Sequence, residues 1–230
     1  MKLDEFKKRL KELKKRGYIE TVRKGNTGVG RTLEQSIGLK ENNLSGPDLE
    51  EVELKSQRRG VSNRITIFTF NRGAWKIKQS ELIERYGYVD TTGRKALYCT
   101  ASNEPNPQGL YLSIIGDKLG LFHRDGCHVA EWDLNDLMDT FAEKVPNLVV
   151  VIADSRTNSR AREEFAFNEA YYLQGINLDA FLRFIQKGLI IVDIRMHLKK
   201  SGGVRNHGTA FRTEEKYLSD CFKHKESLLK

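Results

Sequence analysis

The residues with the most chemical content stand close together, in the order Pro47-Asp48-x4-Glu53-Leu54-Lys55. On a strand, side chains alternate between faces, so Glu53 and Lys55 share one face. Asp48 sits at the turn that feeds that strand. Two carboxylates and a lysine can therefore converge at one sheet edge. Hydrolysis of a phosphodiester asks for such a set: Mg2+ neutralises the phosphate and acidifies a water. Hard Mg2+ prefers carboxylate oxygens and keeps several waters. Asp48, Glu53 and the backbone carbonyl of Leu54 are the candidate metal ligands. Lys55 can orient or help deprotonate the attacking water and offset charge on the phosphorane. Alone, Asp followed by Glu-x-Lys is a weak pattern, because a surface strand of alternating charge carries it more often. Three features strengthen it. Pro-Asp precedes the strand at a workable distance, the residue between Glu53 and Lys55 is apolar, and Glu34 upstream can add a third carboxylate from a helix.

The surrounding pattern supplies elements to position these residues. Leu3, Phe6, Leu10 and Leu13 recur at helical spacing over residues 3–15, and Gly17 closes the helix. Gly25, Gly28 and Gly30 predict a flexible loop, after which Thr32 starts a short helix carrying Leu33, Glu34 and Ile37. That loop lacks the Gly-Lys-Ser/Thr ending of a P-loop, and no apolar strand precedes it as a dinucleotide site requires. A turn is expected over residues 42–47 and half-buried strands over 51–56 and 64–70. Residues 76–86 read as helix, and 110–115, 119–123 and 128–132 as antiparallel hairpin strands. A helix over 133–143 has Asp133 as its N-cap. The apolar run 148–153 reads as a central buried strand. A helix over 178–187 leads into a second buried strand, 189–195, which carries Asp193 and Arg195. Residues 202–208 read as a polar loop and the tail from Thr213 as a helix. The expected fold class is α/β, one domain with a mixed β-sheet flanked by helices and room for a smaller lobe.

Composition narrows the function classes. The chain has 230 residues, with 39 Lys plus Arg against 31 Asp plus Glu, a formal net charge of +8. That length gives one large domain or two small ones. Hydrophobic residues at 39% and aromatics at 9% argue against disorder along most of the length. No apolar run approaches the ~20 residues that span a bilayer. The N-terminus lacks the apolar core of a signal peptide. A basic surplus fits a polyanionic partner, though a lysine-rich solvated surface gives the same charge. It is heavy over residues 7–24. Three cysteines, Cys99, Cys127 and Cys221, are odd in number and widely spaced, which points to a reducing cytoplasm rather than a disulfide framework. His123 to His128 lacks the second ligand pair of a zinc finger.

Four segments taken together resemble a known family: RKGNTGVGRTLEQ (23–35), ENNLSGPDLEEVELKSQ (41–57), VDIR (192–195) and HGTAFR (207–212). They are similar to the MvaI/BcnI family of type II restriction endonucleases, PD-(D/E)xK nucleases related in fold to the MutH-like nicking enzymes. The resemblance is densest over 18–57 and 189–213. It implies a restriction-endonuclease-like domain over 1–230, with a catalytic lobe at about 18–85 and recognition elements at about 189–213. It further implies a Mg2+-dependent enzyme of the prokaryotic cytoplasm. Such an enzyme acts as a monomer on double-stranded DNA at CC-N-GG sites, one strand at a time, beside a companion DNA methyltransferase. On the motif positions, Asp48, Glu53 and Lys55 form the catalytic core and Glu34 the accessory acid. A lysine rather than a histidine at Lys55 matches the branch reading A or T at the centre, giving CCWGG. Asp193, Arg195, His207 and Arg212 match the base-reading positions. Arg205-Asn206 departs from the family pattern and leaves the central base open.

The chemistry of those side chains agrees. Arginine bridges guanine O6 and N7, and aspartate accepts from cytosine N4. An internal Asp193–Arg195 salt bridge is the alternative. His207 by itself also suits a turn or the core. Asn26 and Thr27 can touch phosphate through backbone N–H groups, or cap the helix that follows. Arg58, Arg59, Lys76 and Lys78 can line a DNA cleft or form a solvated face. A repair nickase awaiting partner proteins, and a DNA-binding module with a vestigial site, are the competing functions.

Overall fold

The computed structural model describes residues 1–25, 27–39, 49, 52–60, 64–71, 74–145 and 147–229. Asn26 and Asp48 lie outside the described residues. Along the chain come α1 (Leu3–Arg16), β1 (Ile19–Glu20), α2 (Gly28–Ser36), β2 (Glu53–Arg58), β3 (Arg64–Thr69), α3 (Gln79–Tyr86), β4 (Tyr88–Val89) and β5 (Lys95–Ala101). Then follow β6 (Leu110–Ile115), β7 (Lys118–His123), β8 (His128–Asp133), α4 (Leu134–Lys144), β9 (Asn147–Thr157), β10 (Glu163–Ile176) and α5 (Leu178–Gln186). The series ends with β11 (Ile190–Leu198), β12 (Val204–Asn206), β13 (Ala210–Glu214), α6 (Glu215–Leu218), a 3-10 turn and β14 (Phe222–Ser227). No helix among the described residues is long and apolar enough to cross a membrane.

The chain forms two compact units: Met1–Ile65 with Lys144–Ile176 and Phe222–Lys230, and Thr66–Glu143 with Asn177–Cys221. The expected recognition stretch 189–213 falls wholly in the second unit, whereas the stretch 18–85 is divided at Ile65.

The first unit is built on the sheet β1-β10-β9-β2, with β14 also on β10. It is mixed: β2 runs parallel to β9, and the other pairs are antiparallel. The run 148–153 is buried within β9, flanked by β2 and β10 as its continuous apolar character requires. One sheet face, with Leu54, Val149, Val151 and Phe165, packs on Phe6, Leu10 and Leu13 of α1 and on Val29 and Leu33 of α2.

Helix α2 begins earlier than the glycines suggested. Gly28 and Gly30 lie inside it, and Thr32 donates its hydroxyl back to the Gly28 carbonyl (2.7 Å) instead of starting the helix. Close approach explains the glycine. A Cβ at Gly28 would lie 2.3 Å from the Arg23 carbonyl oxygen and 2.9 Å from Thr21 Oγ1. Two other expectations are corrected. The tail is mainly strand, because β14 completes β10 through pairs such as Tyr171 with Ser227. Part of the 202–208 loop is β12, which pairs with β11.

The second unit holds the sheet β3-β13-β11-β5-β4, with β12 on β11, and the meander β6-β7-β8. Its core is aromatic: Phe68 stacks on Phe211 (centroids 4.8 Å) and on Phe141 (5.3 Å), and Phe141 meets Phe181 (5.0 Å). Asp133 caps α4 as expected, with Oδ1 accepting from the backbone N–H of Asn135 (2.8 Å) and Asp136 (3.2 Å).

Candidate active site and recognition face

Strand β2 ends its sheet among the described residues, next to β9. Leu54 is buried in the α1–α2 core, so alternation sends Glu53 and Lys55 to the other face. They meet there, the Lys55 ammonium donating to Glu53 Oε1. Both are partly open to solvent, with side chains 32% and 21% exposed. Just upstream, Leu49 and Val52 exchange two backbone hydrogen bonds of 3.0 Å each. The chain immediately after Asp48 thus lies beside the chain immediately before Glu53.

Glu34 is placed differently. Its helix crosses β2 on the Leu54–Ser56 side. A Cβ at Gly30 would lie 3.4 Å from Ser56 Oγ and 4.0 Å from Glu34 Oε1, and Glu34 also meets Arg31 at 3.6 Å. Glu53 and Lys55 are brought together on one face, while Glu34 sits at the helix packed on the other. Thr27 stands at the N-cap of α2 without a side-chain capping bond, and its carbonyl accepts from the Arg31 N–H (3.1 Å).

The donors on β2 are hard oxygens: the Glu53 carboxylate and, next to it in the chain, the Leu54 carbonyl. Hard oxygens of this kind, with the carboxylate partly open to solvent, suit Mg2+ rather than a soft metal. Among the described residues no group of three or more His, Cys, Asp or Glu is placed to hold a metal ion.

Arg58 and Arg59, candidates for a DNA-facing surface, are engaged internally. Arg58 holds both Glu163 oxygens (2.6 and 2.8 Å) and the Gly25 carbonyl (2.8 Å), with its guanidinium over the Phe165 ring. Arg59 bridges Asp154 and Glu169, each at 2.7 Å. Lys76 pairs with Glu131 at 3.1 Å.

In the second unit, Asp193, Arg195 and His197 share a face of β11. Thr100, Tyr98 and Ala96 stand opposite them on β5. Asp193 is nearly buried. It accepts from Thr100 Oγ1 (2.7 Å) and from Arg212 Nη1 (2.7 Å). An internal ion pair therefore forms at Asp193, but with Arg212 rather than Arg195. Arg195 makes a long contact from Nη2 to the His207 carbonyl (3.4 Å), and its buried Nε has no hydrogen-bond partner among the described residues. His207 is fixed by its own backbone, its N–H donating to the Arg195 carbonyl (2.8 Å). The next turn is held by the Gly208 N–H on Asn206 Oδ1 (2.8 Å).

A cavity of about 490 Å3 opens on this face, lined by Arg94, Tyr98, Arg195, His197, Arg205 and His207. Of these, Arg94, Tyr98 and His197 escaped the sequence reading. Continuing the two-residue period from Asp193 and Arg195 would have reached His197. Tyr98 lies on β5 and Arg94 just before it, and nothing in the sequence ties that strand to β11. His197 Nδ1 lies 2.8 Å from the Tyr98 hydroxyl. Burial first, then the charge of Arg94, holds His197 below the ordinary imidazole range, so it is neutral at pH 7. Arg94 is itself clamped by Asp90 (3.0 and 2.8 Å). His123, by contrast, packs on Tyr86 at 3.9 Å and pairs with Asp125.

An acid–lysine pair on a sheet-edge strand suits phosphodiester chemistry, and an incompletely satisfied arginine among histidines suits the edge of a base. The first set lies in one unit and the second in the other. The comparisons identify the lineage. A family model for the MvaI/BcnI restriction endonuclease family matches residues 7–222. The structure is similar to that of the restriction endonuclease MvaI–cognate DNA substrate complex, with a TM-score of 0.81 and 25% identity over 99% of this chain and 98% of that one. It also resembles MvaI in the absence of DNA, with a TM-score of 0.55 and 23% identity over 99% and 97%. A search of curated proteins found no match. The chain belongs to the MvaI/BcnI restriction endonuclease family, and it is a type II restriction endonuclease.

Proposed function

We propose that this enzyme hydrolyses double-stranded DNA at a CC-N-GG site, CCWGG in its simplest form. It does so with Mg2+, as a monomer that cuts one strand per event, beside a methyltransferase protecting the same site. The observation that carries the cutting half is the partly exposed Glu53–Lys55 pair on the face of β2 turned away from α1 and α2. When bound, Mg2+ supplies positive charge to the phosphate and acidifies water. Glu53 and the Leu54 carbonyl would hold it, with Asp48 as the second carboxylate. The reciprocal Leu49–Val52 bonds support that choice, because they fold the chain back on itself next to Glu53. Lys55 Nζ holds a proton beside Glu53, where it can orient the attacking water and offset the charge that develops on phosphate oxygens. Glu34 is the proposed accessory acid, reaching round the edge of β2 from the helix on its other face.

Base reading rests on the second unit. Arg195 retains donors for guanine O6 and N7, and a good bidentate contact discriminates by about 1–3 kcal/mol. His207 and Arg205 border the same cavity, and Arg212 presents Asp193 for cytosine N4. Asn26 and Thr27 remain candidates for phosphate contact through their backbone N–H groups.

The test is to digest plasmid DNA with purified protein and Mg2+ and sequence the ends. Ends within CC-N-GG are expected, and ends scattered over unrelated sequences would refute the assignment. Asp48→Ala, Glu53→Gln and Lys55→Met should each abolish cutting while keeping binding to a duplex bearing the site. Undiminished cutting by any of them removes that residue from the active site.

A further inference from the structure

Net charge on this protein is not spread evenly. In the first unit the arginines on or beside the sheet are neutralised: Arg58 by Glu163, Arg59 by Asp154 and Glu169, Arg156 by Glu164, and Arg162 by Glu20. Helix α1 differs. Lys8, Lys11 and Lys15 are exposed, at spacings of three and four residues, and Lys14 lies beside them. No acid pairs with these four among the described residues. Lys7 and Arg9, by contrast, are tied to Glu226 and Glu5. Like charges one helical turn apart repel each other. Asp4 and Glu12 stand one turn from Lys8, and Glu12 one turn from Lys15, which offsets part of that repulsion. With seven basic residues on α1 against three acidic ones, a polyanion laid along the stripe relieves the rest.

The position of the stripe is the second observation. The opposite side of α1 is buried, with Phe6 and Leu10 at 0% and Leu13 at 1% exposure, against the sheet face that carries Leu54. Glu53 and Lys55 project from the other face of that sheet. A helix about 10 Å thick and the sheet itself therefore separate the lysines from the cutting pair. Duplex DNA, stiff over ~150 bp, does not bend sharply enough at low cost to touch both surfaces with neighbouring phosphates. A membrane suits the stripe poorly, because an interfacial helix needs a free apolar face and the apolar face of α1 is occupied.

We propose that Lys8, Lys11, Lys14 and Lys15 form a second, sequence-independent phosphate-binding surface that holds a segment of duplex other than the one being cut. This rests on the proposed action on double-stranded DNA. It gives the enzyme a hold on DNA that survives release of the site.

The experiment uses whole protein without Mg2+, saturated with a short duplex containing the site. A labelled duplex lacking the site is then titrated in. The parent should form a ternary complex without displacing the first duplex. The variant K8Q/K11Q/K14Q/K15Q should bind the second duplex at least tenfold more weakly. Its log–log salt slope should be shallower by about three to four, the loss of four phosphate contacts. Its cleavage of the short duplex should be unchanged once Mg2+ is added. Displacement of the first duplex, equal capture by the variant, or capture of anionic phospholipid vesicles in place of DNA would each overturn the proposal. Failure of the parent to bind the first duplex would instead count against the proposed function.

Discussion

Replacing Arg212 with methionine separates what the proposed recognition face does for the fold from what it would do for DNA. The Asp193 carboxylate accepts one bond from Thr100 and one from Arg212, both at 2.7 Å. Breaking a fully buried ion pair costs about 3–5 kcal/mol, because it strands a charge. Here the side chains of Arg212 and Asp193 are 27% and 12% exposed. Solvent screening and the surviving Thr100 bond therefore bring the expected loss to about 2 kcal/mol. Asp193→Asn should cost less, about 1 kcal/mol, because the partly exposed Arg212 guanidinium can turn to water. The double variant should recover part of the loss, with a coupling of roughly 1 kcal/mol or more. Urea denaturation followed by tryptophan fluorescence reads this directly, since Trp75 and Trp132 both belong to the same unit as the pair. Single effects that add to within ~0.3 kcal/mol would refute the idea that the pair acts as a unit. Binding then adds the second axis. Asp193→Asn should weaken a CC-N-GG duplex more than a random one, and equal weakening would leave Asp193 a structural acid alone.

Three further outcomes are expected. Arg58→Ala removes two bonds to Glu163, one to the Gly25 carbonyl and the contact with Phe165, and should lower stability by about 2–3 kcal/mol with the salt slope of DNA binding unchanged. A shallower slope without lost stability would restore Arg58 as a phosphate contact. His197, held below its ordinary pKa by burial and Arg94, binds fewer protons folded than unfolded. Its contribution is present above about pH 6.5 and is lost as pH falls through its folded-state pKa. His197→Phe should therefore lose less thermal stability than the parent between pH 7.5 and 5.5, and parallel losses would contradict this. Burial pushes the Cys99 and Cys221 thiols up to about 12. At pH 8 a thiol reagent should leave both unmodified until the protein unfolds, and rapid labelling of all three cysteines would show the burial to be wrong.

Much of this arrangement was readable in the sequence where a period was clean. The apolar run of β9, the hairpin strands β6 to β8 and the Asp133 cap follow local rules, and each formed where expected. Other elements depended on distant partners. Strand β10 carries no steady alternation, and its register shifts between Phe167 and Glu169, so its pattern gave no signal. Strand β14 is exposed over most of its length and owes its conformation to pairing with β10. The glycines of α2 looked like a loop because sequence does not show the Arg23 carbonyl pressing on Gly28. The Glu53–Lys55 pair was legible because two residues on one strand need no tertiary information to share a face. Whether Asp193 would pair with Arg195 or Arg212 was not legible, since the answer lies in how β13 registers against β11.

The strand that bears the proposed cutting pair is held by a partner synthesised much later. Glu53 registers against Leu148 and Lys55 against Val150, and residues 66–143 of the other unit intervene. Closing so long a loop costs entropy before the pairing gives anything back. Sheets with distant partners assemble slowly, whereas the meander β6 to β8 needs only its neighbours. The order of assembly follows. As the chain leaves the ribosome, Glu53 and Lys55 emerge early but stay unaligned until β9 arrives, so a nascent chain carries the residues of a nuclease without yet being one.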